Sequence, residues 1–260
     1  MPNFFNISPH HFKLFLLILT RIGGIILFAP ILGHKNIPVK VKIGLSLLLS
    51  LVLYPIIRSY IDVNFSSDIF FYTLIILKEL GIGMILGWAA KTIFAAVQLS
   101  GQFIGMQVGF GIVNIIDPQG MEQISIIGVF EDLLAILIFL AINGHHWFLQ
   151  AIVRSFELVS PLNIKLSDNL LHVILKMSGD IFLIAIKLSA PVIVVAILIN
   201  LAMGIVARTV PQINVFFVGF PIQIAVGLIA LGLSSYFFLV VLKKSFLQLQ
   251  GAIFLIIKLI

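Results

Sequence analysis

The sequence contains no cysteine, which excludes disulfides and thiolate metal sites at the outset. Charge is scarce as well: Asp, Glu, Lys and Arg make up 10% of the 260 residues, against about a quarter in an average soluble domain. With 61% hydrophobic residues and a mean hydropathy of +1.21, the chain cannot be a soluble globular domain and reads as an integral membrane protein. At ~20 residues per span, its length supplies about six apolar helical segments, which predicts an all-α membrane protein forming one module, 1–260, with no soluble domain beside it. Acids are rarer than bases, 10 against 16, but the bases are scattered among apolar runs. They orient loops rather than bind nucleic acid.

Catalytic patterns are missing too. His10-His11 and His145-His146 are adjacent, so neither pair shares a helical face and no metal site is expected. Gly109 to Asn114 imitates the start of a dinucleotide fingerprint without its third glycine or its βαβ setting. No serine-nucleophile motif or phosphate-cradling loop occurs, so the chain is expected to be no enzyme and to carry no cofactor. The start lacks both a basic region before its apolar run and a small-residue cleavage site, and no signal peptide is expected to be removed.

What is present centres on Leu99 to Ile124. Gly101, Gly105 and Gly109 recur every fourth residue, which on a helix gives a side-chain-free stripe where another backbone can pack closely. Gly111 then lets the chain leave the helix, and Asp117-Pro118 cannot continue one. Between them, Phe110 to Ile116 is apolar but lacks helical hydrogen bonds, so it must be buried in protein or line a cavity.

Taken in order, the first apolar segment, 12–32, carries Arg21 and Gly23-Gly24; a buried arginine should face protein or water, or snorkel to an interface. A basic loop follows, with His34, Lys35, Lys40 and Lys42, and reads as cytoplasmic. The second segment is 41–57. The third, 69–98, would run ~45 Å if helical throughout and so should protrude or pack in protein; it holds Lys78, Glu79 and Lys91. The fourth, 124–143, contains Glu131-Asp132, and at least one of these acids is expected to meet a cation such as Lys78 or Lys187. Residues 144–168 read as an interfacial amphipathic helix. The fifth region, 170–208, is interrupted by Pro191, and Lys176, Asp180 and Lys187 on one face are expected to neutralise one another. The sixth, 215–242, has Gly219-Phe220-Pro221 near its start and ends at the basic pair Lys243-Lys244. If both basic ends are cytoplasmic, an even number of crossings separates them, yet five segments lie between. A bent or re-entrant hairpin, at the glycine stretch or at Pro191, would restore the parity.

Gly101 to Gln123 and Asn200 to Leu228, with Ile142 to Trp147 and Thr20 to Gly33, resemble the FliR family of flagellar export proteins over nearly the whole chain. Injectisome counterparts are the alternative, but Arg208, Pro211-Gln212, Asn214 and Gly219-Phe220-Pro221 look more flagellar. The resemblance implies a subunit of a hetero-oligomeric type III export gate in the bacterial inner membrane, multi-pass, at the flagellar basal body. It implies assembly with FliP and FliQ, with FlhB and FlhA nearby, around a path for unfolded flagellar proteins. It also implies a FliP-like part, 1–143, a FliQ-like hairpin part, 144–260, and a plug loop at 106–122. On this sequence the plug residues are Met106, Gly109, Phe110, Gly111, Ile112, Val113, Asn114, Asp117 and Pro118. Helix packing is expected at Gly101, Gly105, Gly109, Gly219 and Pro221, and intramembrane charges at Lys78, Glu79, Glu131, Asp132, Asp180 and Lys187. A secondary transporter would also use broken helices and buried charges, but the halves share no repeat beyond Pro118-Gln119 and Pro211-Gln212. A scaffold that anchors other membrane subunits without lining a path differs only in whether 110–116 meets the exported chain.

Overall fold

The computed structural model describes residues 9–34, 37–60, 69–110, 125–159, 167–212 and 214–260. Among them are seven helices and no strand: α1 (Pro9–Phe28), α2 (Val39–Ile57), α3 (Ile69–Val108), α4 (Ile126–Ala141), α5 (Gly144–Leu158), α6 (Asp168–Thr209) and α7 (Val215–Leu259). Five are long and apolar enough to cross a membrane, six if α4 and α5 together make one span. The protein is an all-α membrane protein.

Local chemistry sets the helix ends. Pro38, extended at φ −56° and ψ 140°, precedes α2. Ser125 caps α4, its side chain accepting from the Gly128 N–H. Asn143 turns the chain into α5 with φ 57°, a left-handed conformation that asparagine tolerates better than most residues.

Three segments differ from the sequence reading. The third apolar segment and the glycine stretch are one helix, α3, of 40 residues. The fifth region is not broken at Pro191: α6 is continuous for 42 residues. A proline forfeits one rung of the ladder, and the rungs on either side hold the rest together. Lys243-Lys244 is not a terminus either, because α7 continues 15 residues beyond it to Leu259. Both lysines are exposed on the helix, so the parity argument, which took them for a loop, loses its premise.

The chain folds as two compact units. The first comprises residues 1–92, 143–177 and 248–260. Its core includes Leu14, Leu17, Ile18, Ile22 and Ile25 of α1, with Ile82, Leu86 and Ala89 of α3. Here α1 and α3 meet backbone to backbone. A Cβ on Gly24 would lie 2.9 Å from the Leu80 carbonyl oxygen, and one on Gly87 would lie 2.7 Å from that of Ile25. Ser167 donates to the Leu259 carbonyl at 3.0 Å, tying the approach to α6 to the end of α7.

The second unit comprises residues 93–142 and 178–247. Phe94, Phe139 and Phe246 form one aromatic cluster, with ring centroids 5.4 to 5.9 Å apart. Ile104, Val108, Ile127 and Val192 form a second core group, against which Phe110 and Ile224 pack.

Candidate functional site

The flanks of the glycine stretch are built into the second unit. Gly101 faces α4 directly: a Cβ there would fall on the Gly128 Cα and lie 2.6 Å from the Gly128 nitrogen. Four residues on, a Cβ on Gly105 would meet the side chain of Ser125, with Oγ at 2.5 Å. Backbone contact on this stripe is therefore made at Gly101, while Gly105 makes room for a hydroxyl. That hydroxyl donates to the Gly101 carbonyl at 2.8 Å and accepts from the Gly128 N–H at 3.3 Å. Ser125 thus caps α4 and pins its start to α3.

Gly109 does not extend the stripe. It follows the last helical residue, Val108, with φ +103°, a conformation that needs glycine. A Cβ there would meet the Phe220 ring at 3.5 Å, an ordinary contact, so the constraint is conformational. Phe110 packs against the Ile104–Val108–Ile127–Val192 group. From α7, Gln223 donates its side-chain amide to the Gln107 carbonyl, near the helix end where carbonyls lose their intrahelical partners. Gly227 sits beneath Val108, where a Cβ would be 2.7 Å from both methyl groups. The chain is thus held where it leaves α3 and again where it enters α4.

A second polar site lies in the first unit. Arg21 and Glu79 are both fully buried and form a bidentate pair, Nε to Oε2 at 2.5 Å and Nη2 to Oε1 at 2.8 Å. Arg21 also donates to the Ser155 carbonyl at 2.6 Å and the Val159 carbonyl at 3.2 Å, the last carbonyls of α5 and its cap. Its guanidinium stacks 4.1 Å from the centroid of the Phe156 ring. One side chain therefore joins α1, α3 and α5, and snorkelling is ruled out for it.

The remaining expected residues are distributed as follows. Gly111, Ile112, Val113, Asn114, Asp117 and Pro118 lie outside the described residues. Met106 is 62% exposed. Gly219 is buried, and Pro221 lies inside α7 without interrupting it. Glu131 is buried next to the Ser100 hydroxyl, and Asp132 is half-buried. The cations expected opposite them are not buried: Lys78 and Lys187 are exposed on their helices. Asp180 forms no ion pair with Lys176 or Lys187 among the described residues. Both lysines are exposed, and ordering long side chains for one exposed contact gains little.

Sequence reasoning missed the link between Arg21 and Glu79, and the facing glycines Gly83, Gly87 and Gly128. The available signals were a lone arginine and a lone acid in apolar runs, and the Gly83-x-x-x-Gly87 spacing.

Comparison with known proteins adds to this geometry. Residues 12–249 match the family described as "Bacterial export proteins, family 1". The chain is 39% identical over 238 residues to the flagellar biosynthetic protein FliR of Bacillus subtilis (strain 168), covering 90% of this chain and 91% of that protein. It is 31% identical to FliR of Escherichia coli (strain K12), over 81% of this chain and 79% of that one. The Pectobacterium carotovorum FliR is 34% identical over 82% and 81% of the two chains.

Proposed function

This chain belongs to the bacterial export proteins, family 1, and on that footing we propose how it closes the flagellar export gate of which it is a subunit. Residues 106–122 form the seal of the resting channel. The observation that carries this reading is the pair of anchors on α3. Ser125 sits against Gly105, four residues and so ~6 Å along the helix from Gly109. The 14 residues from 111 to 124 could reach ~46 to 50 Å if extended. That is several times what the gap requires, so the stem is rigid while the intervening chain has length to spare for a channel lumen.

The chain is a structural component of the export apparatus in the membrane, and its finer setting follows from the same reading. Exposed apolar residues on α7 extend from Phe217, 82% exposed, through Leu233, 81%, to Leu255, 46%. That stretch covers ~57 Å of helix, well beyond a hydrocarbon core of ~30 Å. Lipid cannot cover all of it, which supports FliP and FliQ subunits packed there, with FlhB and FlhA at the same gate. The setting is the bacterial inner membrane at the flagellar basal body, with unfolded flagellar proteins as cargo. Residues 1–143 are the FliP-like part and 144–260 the FliQ-like part. The two long helices α6 and α7, joined by 210–214 and tied at Ser167 and Leu259, support a hairpin in the latter.

The test replaces Ile112 to Ile116 with glycine and serine, sparing Phe110 because it packs against the core. Ion conductance of the resting membrane should rise with assembly intact, since an apolar constriction blocks ions by excluding water. A variant that assembles in full and stays as tight as wild type would assign closure to other subunits.

A further inference from the structure

Glu131 is a carboxyl group in the apolar helix α4, 3% exposed, and its Oε2 has no hydrogen-bond partner among the described residues. It lines a cavity of ≈ 10 Å³ together with Leu134 of α4 and Leu231, Ser234, Ser235 and Phe238 of α7. That volume is about what one water-sized guest requires. Phe130 and Ser235, both exposed, stand at its rim and leave a way in.

The polar wall is made of acceptors. Ser234 donates its hydroxyl proton to the Leu231 carbonyl at 2.9 Å, and Ser235 donates to the same carbonyl at 3.3 Å. Each hydroxyl has a single proton to give, so only lone pairs remain for the cavity. The guest therefore meets oxygen lone pairs beside a carboxylate, with apolar side chains around them. No other titratable side chain lines the cavity. On α3 the carboxyl faces the hydroxyl of Ser100, which is not titratable in the ordinary range, and Asp132 on α4 itself is half-buried. Glu131 forms no ion pair among the described residues. An uncompensated buried carboxylate is costly, so positive charge belongs in this space.

We propose that Glu131, Ser234 and Ser235 form a binding site for one monovalent cation, sodium or a proton, where α4 meets α7. Oxygen ligands suit a hard cation, and a single carboxylate in a space for one guest falls short of the six to eight oxygens that a calcium ion takes. The site does not depend on how residues 106–122 act.

The test uses the full-length chain purified from membranes in its native complex. Thermal unfolding is followed in sodium chloride and in choline chloride at equal ionic strength, each at mildly acidic and mildly alkaline pH. Occupancy by sodium raises Tm with sodium concentration, since a ligand that binds the folded state stabilises it by mass action; occupancy by a proton makes Tm depend on pH instead. Glu131→Gln, neutral and of the same shape, should abolish whichever response wild type gives. Ser234→Ala with Ser235→Ala should move its midpoint by about tenfold in cation concentration, the equivalent of one hydrogen-bond-sized contact. A wild-type Tm indifferent to both cations, or a response that survives in Glu131→Gln, overturns the site. If Glu131→Gln fails to assemble, the serine variant decides, and an unmoved midpoint overturns it.

Discussion

Replacing Arg21 with methionine should be among the most damaging single changes in the first unit. Arg21 and Glu79 are each 0% exposed, so the substitution strands a carboxylate that water cannot reach. Breaking one partner of a buried pair costs ~3 to 5 kcal/mol. The Ser155 and Val159 carbonyls lose their donor as well, and each buried acceptor left bare adds ~1 to 3 kcal/mol unless a neighbour moves in. At ~2 to 4 °C per kcal/mol for a chain of this size, the pair alone corresponds to a Tm decrease of ~6 to 20 °C. Glu79→Met alone should cost a comparable amount. The double variant Arg21→Met with Glu79→Met should recover part of the loss, because two apolar side chains leave no unpaired charge. The recovery will be incomplete, since the α5 carbonyls remain bare. Thermal unfolding of the purified complex for wild type, both single variants and the double variant gives the coupling energy directly. If Arg21→Met melts with wild type, or if the double variant is no better than the worse single variant, the ion pair does not hold these helices together.

Gly101→Ala should lower the yield of assembled protein, overpacking by ~1 to 3 kcal/mol, because its Cβ meets the Gly128 backbone rather than a side chain that can turn away. Gly179→Ala, where nothing lies within 4 Å, is the matched control and should leave the purified chain's stability equal or slightly higher. Gly109→Ala should cost ~1 to 3 kcal/mol through its backbone conformation alone, so Gly109→Asn, which tolerates positive φ better, should be milder in the same unfolding assay. Ser125→Ala removes both the cap on α4 and the bond to the Gly101 carbonyl, and should cost ~0.5 to 2 kcal/mol; wild-type stability would show that the cap is dispensable.

The helices were legible where apolar runs stop. The expected segments 41–57 and 124–143 fall within two residues of α2 and α4, because turn residues and charge end them. Misreadings came from treating a single residue as punctuation. Pro191 is a helix breaker in isolation, yet long apolar flanks on both sides outweigh one lost hydrogen bond. Lys243-Lys244 resembled a loop because charge and lipid are incompatible, but a helix longer than the membrane can carry lysines on an exposed turn. Around the glycine stretch, the four-residue spacing gave away a packing surface while hiding its graded character. Contact of backbone with backbone at Gly101 depends on Gly128, and the nature of the contact at Gly105 depends on Ser125, both beyond the break. Arg21 was conspicuous as a cost, but its partner stands 58 residues away. No local pattern names such a partner; only the α1–α3 crossing, with its facing glycines, brings the two side chains together.

The unbroken course of α3 has a consequence for how such a gene can change. Glu79 and Gly101 lie on the same 40-residue helix, and each must point at its own neighbour. Adding or removing one residue between them turns everything downstream by ~100° about the axis. Arg21 would keep its acid while Gly128 met a side chain instead of Gly101. Substitution can therefore rework this rod freely on its outward faces, but length cannot drift one codon at a time within it. Among descendants of a common ancestor, single-codon gains and losses should collect between the helices, at 61–68, 111–124 and 160–166, and the stretch from Glu79 to Gly101 should keep its count.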